Sequence, residues 1–199
     1  FTALETLGTH PEIDITRAGL LGFSKGAIVS YMAAMNTKRR EMKISEQIKF
    51  KAHYLFYPGC ALYYHDNTTT GAPMTMFLGE KDTYTGLQPC LDLVDTLKEK
   101  GADIKTIIYK NAVHAWDIPG EKSYPEAEIF KDCRFVQQPN GKWNELKSGV
   151  KDMPSLIGRR YEKALKGCLS YGTVTHENPE ASKQSMKDFL ELVRQQLFK

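Results

Sequence analysis

The sequence has little of what would commit a chain to a membrane, a polyanion or a metal. No apolar run approaches the roughly 18 residues that cross a bilayer, so no membrane partner is expected. The formal net charge is only +3 over 199 residues, too small to argue for nucleic acid. The densest basic run, Lys38-Arg39-Arg40 with Lys43, falls where a helix should end. It reads as a solvated terminus that suits the helix dipole. The four cysteines contain no Cys-x-x-Cys, and the five histidines no pair at ligand spacing. No zinc pattern results, and neither metal nor organic cofactor is expected. Internal repeats and low-complexity tracts are also missing.

What is present is the composition of a globular protein, 41% apolar and 26% charged, with enough chain for a real core in one domain over 1–199. Strand and helix patterns alternate. Residues 1–9 read as the tail of a helix, followed by Pro11. Ile15–Leu21 is a short apolar strand, and Ser24–Arg40 a helix with Ala, Ile, Val, Met and Tyr on its buried face. Strands follow at Lys51–Tyr57, Met74–Leu78 and Ile104–Tyr109. An amphipathic helix covers Leu87–Lys100 and stops at Gly101. Residues 118–150 scatter Pro, Gly, Lys and Asn with little periodicity, and predict an irregular, lid-like excursion. Two closing helices are expected over Ser155–Leu169 and Ala181–Phe198. Alternation of this kind predicts an α/β fold with a mostly parallel sheet flanked by helices.

One corner stands out. Gly22-Phe23-Ser24-Lys25-Gly26 fits G-x-S-x-G with a strand before it and a helix after it. That context lifts a serine hydroxyl out of a strained turn where neighbouring side chains would collide, and both glycines are read as removing them. The other reading is a helix N-cap serine after a tight turn. A serine hydroxyl needs a base within hydrogen-bond reach, itself oriented by a carboxylate. Asp82 lies just past the strand ending at Leu78, and His114 just past the strand ending at Tyr109. All three candidates therefore fall on the carboxyl edge of the sheet, where open α/β folds keep their sites. Glu80 is the rival acid and Asp117 a weaker one. His53, inside a strand, reads as packed; His65 reads as a surface loop. Trp116 is a candidate wall for an acyl pocket, and Trp143 core or lid packing.

The segments GFSKGA, YPGC, FLGEKDTYTGLQPC and YKNAVHAWD together resemble the dienelactone hydrolase family of α/β-hydrolases. The resemblance covers roughly residues 12–117. It implies Ser24 as nucleophile, Asp82 as acid, His114 as base and the Lys25 backbone N–H as an oxyanion donor. It also implies a small ester or lactone as substrate. Dienelactone hydrolases proper use a cysteine nucleophile, and the family's second elbow glycine is Ala27 here. In this fold several strands precede the elbow, whereas about twenty residues precede Ser24. The expectation is the C-terminal portion of a longer enzyme, with a complementary N-terminal half of the same protein as a partner.

The cysteines leave two readings open. Cys60 with Cys90, and Cys133 with Cys168, could form two bridges, which would suit an exported protein, periplasmic or secreted. Four reduced thiols would suit a cytoplasmic enzyme. The function expected is ester or lactone hydrolysis through an acyl-enzyme. The alternatives are a serine peptidase of the prolyl oligopeptidase type and a non-catalytic binding module that keeps the fold.

Overall fold

A computed structural model describes residues 1–154 and 164–198. Its centre is a four-stranded, all-parallel sheet of β1 (Gly19–Phe23), β2 (Ala52–Phe56), β4 (Met74–Gly79) and β5 (Ile104–Tyr109), in the order β1-β2-β4-β5. The two inner strands, AHYLF and MTMFLG, are buried along their whole length. Strands covered on both faces must read as near-continuous apolar runs, and these do. The pleat still sorts them. Leu55, Met74, Met76 and Leu78 join one core with helices α2 (Lys25–Ala34) and α4 (Leu87–Glu99). Tyr54, Phe56 and Phe77 join a second core with α5 (Pro179–Leu197).

Each flanking helix follows from its sequence. In α4, Cys90, Leu93, Val94 and Leu97 repeat at helical spacing and are buried, while Gly101 takes the left-handed φ of 81° that ends it. In α5, Asn178 caps the Ala181 N–H at 3.0 Å and Pro179 opens the first turn. The sheet underneath fixes its path. Asp188 accepts from the Tyr109 hydroxyl at 2.9 Å, and the Leu197 carbonyl accepts from Arg17 Nε at 2.7 Å.

Several elements depart from the sequence reading. After the short helix α1 (Thr2–Leu7), Ile15–Arg17 is a 3-10 turn capped by Asp14, so β1 begins at Gly19 and not at Ile15. The helix expected over Ser24–Arg40 breaks at Met35 into α2 and α3 (Asn36–Glu41). There the loop 68–70 supplies other partners: Thr70 N donates to Ala34 O at 2.9 Å and Asn36 N to Thr68 O at 3.0 Å. The excursion at 118–150 is not irregular. It holds β6 (Glu121–Ile129), β7 (Phe135–Gln137) and β8 (Trp143–Glu145). β7 pairs with β3 (Leu62–Tyr64) on one side and β8 on the other in a small sheet, and β6 pairs with β9 (Ser170–His176) in an antiparallel ribbon. Of the helix expected over Ser155–Leu169, residues 155–163 lie outside the described residues; 164–168 form turns.

The cysteines form two disulfides, Cys60–Cys90 and Cys133–Cys168. Cys60 lies in the loop after β2, and Cys90 in the first turn of α4. The bridges span 30 and 35 residues of sequence, lengths for which chain-entropy arguments give about 3.5–4 kcal/mol each. Alkylation of the native protein, followed by mass spectrometry, should leave all four thiols unmodified until a reductant is added. Four adducts before reduction would refute the bridges.

Candidate active site

The site is built where β1 hands over to α2. Phe23 is in register with Phe56 of β2, and the Ser24 N–H then donates to the Phe56 carbonyl at 2.9 Å. Ser24 turns the chain with φ 50° and ψ −113°, a conformation that side chains disfavour. Its carbonyl accepts from the N–H groups of Ala27 and Ile28, at 3.0 and 3.2 Å, which starts the helix at once. A Cβ on Gly22 would stand 2.0 Å from the Gly26 carbonyl oxygen, so residue 22 must be glycine. The same requirement does not hold at Gly26: a Cβ there would meet nothing within 4 Å. Only the first glycine of the motif is sterically demanded.

Two further loops reach this corner. They are laced to each other by Glu80 N to Tyr109 O at 3.0 Å and Lys81 N to Ala112 O at 2.8 Å. Gly79 permits that approach, since a Cβ there would lie 2.6 Å from the Ala112 carbonyl. Asn111 and Ala115 both take a left-handed φ of 56°, bending the second loop around its histidine. The result brings the three candidates into line. Ser24 Oγ is 2.9 Å from His114 Nε2, and His114 Nδ1 is 2.9 Å from Asp82 Oδ2. Asp82 and His114 are buried.

Asp82 is held as an acceptor. Its Oδ1 receives the Tyr84 and Thr85 N–H groups at 2.8 and 2.9 Å, and its Oδ2 also receives the Thr85 hydroxyl at 2.7 Å. Burial pushes the carboxyl pKa up. The bond and charge of His114, with the Thr85 bonds, outweigh burial and bring it below the ordinary carboxylate value. An ionised Asp82 requires the proton on His114 Nδ1. Nε2 is then free to accept from the Ser24 hydroxyl. Lys25 opens α2, so its N–H has no acceptor within the helix and points with the positive end of the dipole.

The other candidates separate cleanly. Glu80 turns outward and accepts from the Asn111 N–H at 2.9 Å. Asp117 accepts from the Tyr57 hydroxyl at 2.6 Å. His53 is buried beside Ser30, and burial pulls its pKa down to about 4. His65 is exposed. Trp116 corrects an expectation: it is 0% exposed, and its Nε1 donates to Ser185 of α5 at 3.2 Å. It anchors the histidine loop to the helix beneath the sheet and has no surface to offer an acyl group. Trp143 packs on Tyr64 at 5.7 Å in the core. Among the described residues, Cys133, Glu145 and Cys168 lie close enough to share a metal ion. Both sulfurs are spent on their disulfide, and Glu145 accepts from the N–H groups of Arg134 and Ser148.

A family model described as serine hydrolase (FSH1) matches residues 4–126. The chain belongs to that family. No curated protein matches its sequence. Among solved structures, a dienelactone hydrolase-like promiscuous phosphotriesterase from metagenomic libraries is similar over 98% of this chain and 58% of its own, at 14% identity and TM-score 0.50. A thermophilic esterase from the Planctomycetes species Thermogutta terrifontis covers 58% of this chain and 52% of its own, at 17% identity and TM-score 0.46. An α/β hydrolase from a Medee basin deep-sea metagenome library covers 58% and 47%, at 20% identity and TM-score 0.44. The chain shares its fold with the hydrolase-like enzyme matched at TM-score 0.50, and it spans about half the length of the solved structures it matches.

Sequence reasoning missed Tyr84 and Thr85 as donors to Asp82. The signal was the Asp-Thr-Tyr-Thr run itself, because an aspartate commonly bonds backbone N–H groups two residues on. It also passed over Tyr57, which packs 4.8 Å from His114.

Two predictions follow from this geometry. Gly22→Ala should leave little folded protein, whereas Gly26→Ala should fold and gain up to about 1 kcal/mol, read as a higher melting temperature. Because the folded pKa of Asp82 is depressed, its contribution to stability is present above the unfolded value and lost as pH falls below about 4. Urea midpoints measured from pH 6 downward should show this acid loss, and Asp82→Asn should lack that part of it.

Proposed function

We propose that this chain hydrolyses carboxylic esters or lactones of small molecules through an acyl-enzyme formed on Ser24. The observation that carries the reading is the line of two 2.9 Å hydrogen bonds from Ser24 Oγ through His114 to Asp82, anchored on a serine held at φ 50°. Ser24 Oγ attacks the carbonyl carbon as His114 Nε2 takes its proton. Asp82 keeps the imidazole's tautomer and orientation and stabilises the imidazolium without itself being protonated. The Lys25 N–H donates to the developing oxyanion, an interaction strongest when charge has moved onto that oxygen. His114 returns the proton to the leaving alkoxide and then draws one from the water that hydrolyses the acyl-enzyme.

The ribbon of β6 and β9 and the small sheet serve as a lid-like cover in this reading. Lys131 stands against Gly86, close beside the loop that holds Asp82. Burial, followed by the carboxylates of Glu128 and Asp82, pushes the Tyr84 phenol up. Two disulfides support an exported setting.

A fluorophosphonate probe tests the proposal directly. Ser24 should be labelled in the native protein, and Ser24→Ala and His114→Ala should each abolish labelling and lower kcat for an activated ester by about 10⁴-fold or more. Labelling retained in Ser24→Ala would overturn the assignment. Faster cleavage of peptide amides than of esters would move the activity to a peptidase.

A further inference from the structure

Beside Ser24, at the same level of the sheet, stands a second residue in an unusual conformation. Phe23 and Phe56 are paired across β1 and β2, and each chain then leaves the sheet with a positive φ, 50° at Ser24 and 39° at Tyr57. Left-handed backbone is rare for an aromatic residue, and such outliers persist only where the surroundings over-determine them. At Tyr57 the surroundings are visible. Its N–H donates to Phe77 O at 2.8 Å. Its hydroxyl donates to Asp117 Oδ1 at 2.6 Å. Its ring lies 4.8 Å from the His114 ring at 65° and 4.9 Å from Trp116 at 79°.

Two hydrogen bonds in the ring plane, to Asp82 at Nδ1 and Ser24 at Nε2, do not fix the tilt of an imidazole. The His114 ring can still rock about the axis they define, and rocking spoils the aim of Nε2 at the Ser24 hydroxyl. Contacts on the ring must oppose the motion. Two aromatic neighbours are placed to do so: Tyr57, and Tyr84 at 4.8 Å and 77°. Tyr84 stands two residues past Asp82 and so moves with the acid loop. Tyr57 directly follows β2, the strand next to β1, and its hydroxyl is tied to the histidine's own loop through Asp117. Burial, with the Asp117 bond and the Asp117 and Asp82 charges, holds the phenol protonated and donating.

We propose that Tyr57 and Asp117 form a positioning pair for His114, locking the tilt of its imidazole while Asp82 locks its rotation. The pair rests on the hydrolase reading of Ser24 and His114 and adds residues to it. Neither member touches the reacting atoms. Asp117 holds Tyr57, Tyr57 holds the ring, and the left-handed Ala115 between His114 and Asp117 lets the loop double back far enough for both contacts.

The test compares Tyr57→Phe, Asp117→Ala, Asp117→Asn and the Tyr57→Phe/Asp117→Ala double variant, after circular dichroism shows native spectra. Tyr57→Phe keeps the ring and loses only its tie to Asp117. It and Asp117→Ala should each lower kcat for an activated ester about tenfold with KM within about twofold, since small misplacements of a catalytic group act on kcat. The double variant should lose no more than either single one, and Asp117→Asn, which keeps an acceptor oxygen, should recover most of the loss. The His114 ring resonances in ¹H–¹⁵N NMR should shift and broaden in both single variants. Wild-type kcat and unchanged His114 resonances in Tyr57→Phe would overturn the proposal, as would losses that multiply in the double variant or a lowered melting temperature as the sole effect. If the protein hydrolyses no ester, the hydrolase reading falls. The His114 resonances then decide the positioning role alone: shifted, it stands; unshifted, it falls.

Discussion

Gly22 passes so close to the Gly26 carbonyl that no side chain fits between them, and the rest of the site depends on this crowding. It forces the chain to turn within one residue, which leaves Ser24 as the first group beyond the sheet and makes its carbonyl the first acceptor of α2. A looser corner would let the serine fall back toward a helix-capping position. The cost is a non-glycine residue at positive φ. The Ser24 N–H to Phe56 bond and the two bonds to its carbonyl offset that cost.

The same logic recurs at the neighbouring strand ends. Tyr57 leaves β2 at positive φ, and Asn111 and Ala115 do so in the loop after β5. Each is held from a different element, directly or through the next residue: Tyr57 by β4 at Phe77, Asn111 by Glu80 of the Asp82 loop, and Ala115 through its neighbour Trp116, which bonds Ser185 of α5. Strain is thus concentrated along one edge of a sheet whose inner strands are wholly buried. The rigid part of the molecule holds the unfavourable part in place. Ser24, His114 and Asp82, drawn from three loops, can then meet within hydrogen-bond distance.

Much of this was legible in the sequence because strand ends announce themselves. Ser24, Asp82 and His114 each follow an apolar run closed by glycine or by polar residues, and a parallel sheet brings such ends to one edge. What escaped was set by partners distant in sequence. The break between α2 and α3 comes from the loop at 68–70, which no local pattern in Ser24–Arg40 records. β6 is almost wholly exposed, carries Pro125, and shifts register between Tyr124 and Glu128. It therefore lacks the alternation by which strands are found. Trp116 was misjudged for a related reason: its proximity to His114 in sequence suggested the pocket, while the left-handed Ala115 between them sends the indole to the opposite side, into the core beneath α5.

The two hydrogen bonds of the Ser24–His114–Asp82 line join residues 90 and 32 positions apart. Contacts of such separation form late, since long loops must close before they are rewarded. Neither a nascent chain nor a partly folded one can hold Ser24, His114 and Asp82 together, however much helix it contains. On the proposed reading, the serine lacks its base until all the strands of the central sheet are in register. Labelling at Ser24 would then measure how many molecules have completed the fold, and not how many chains are present.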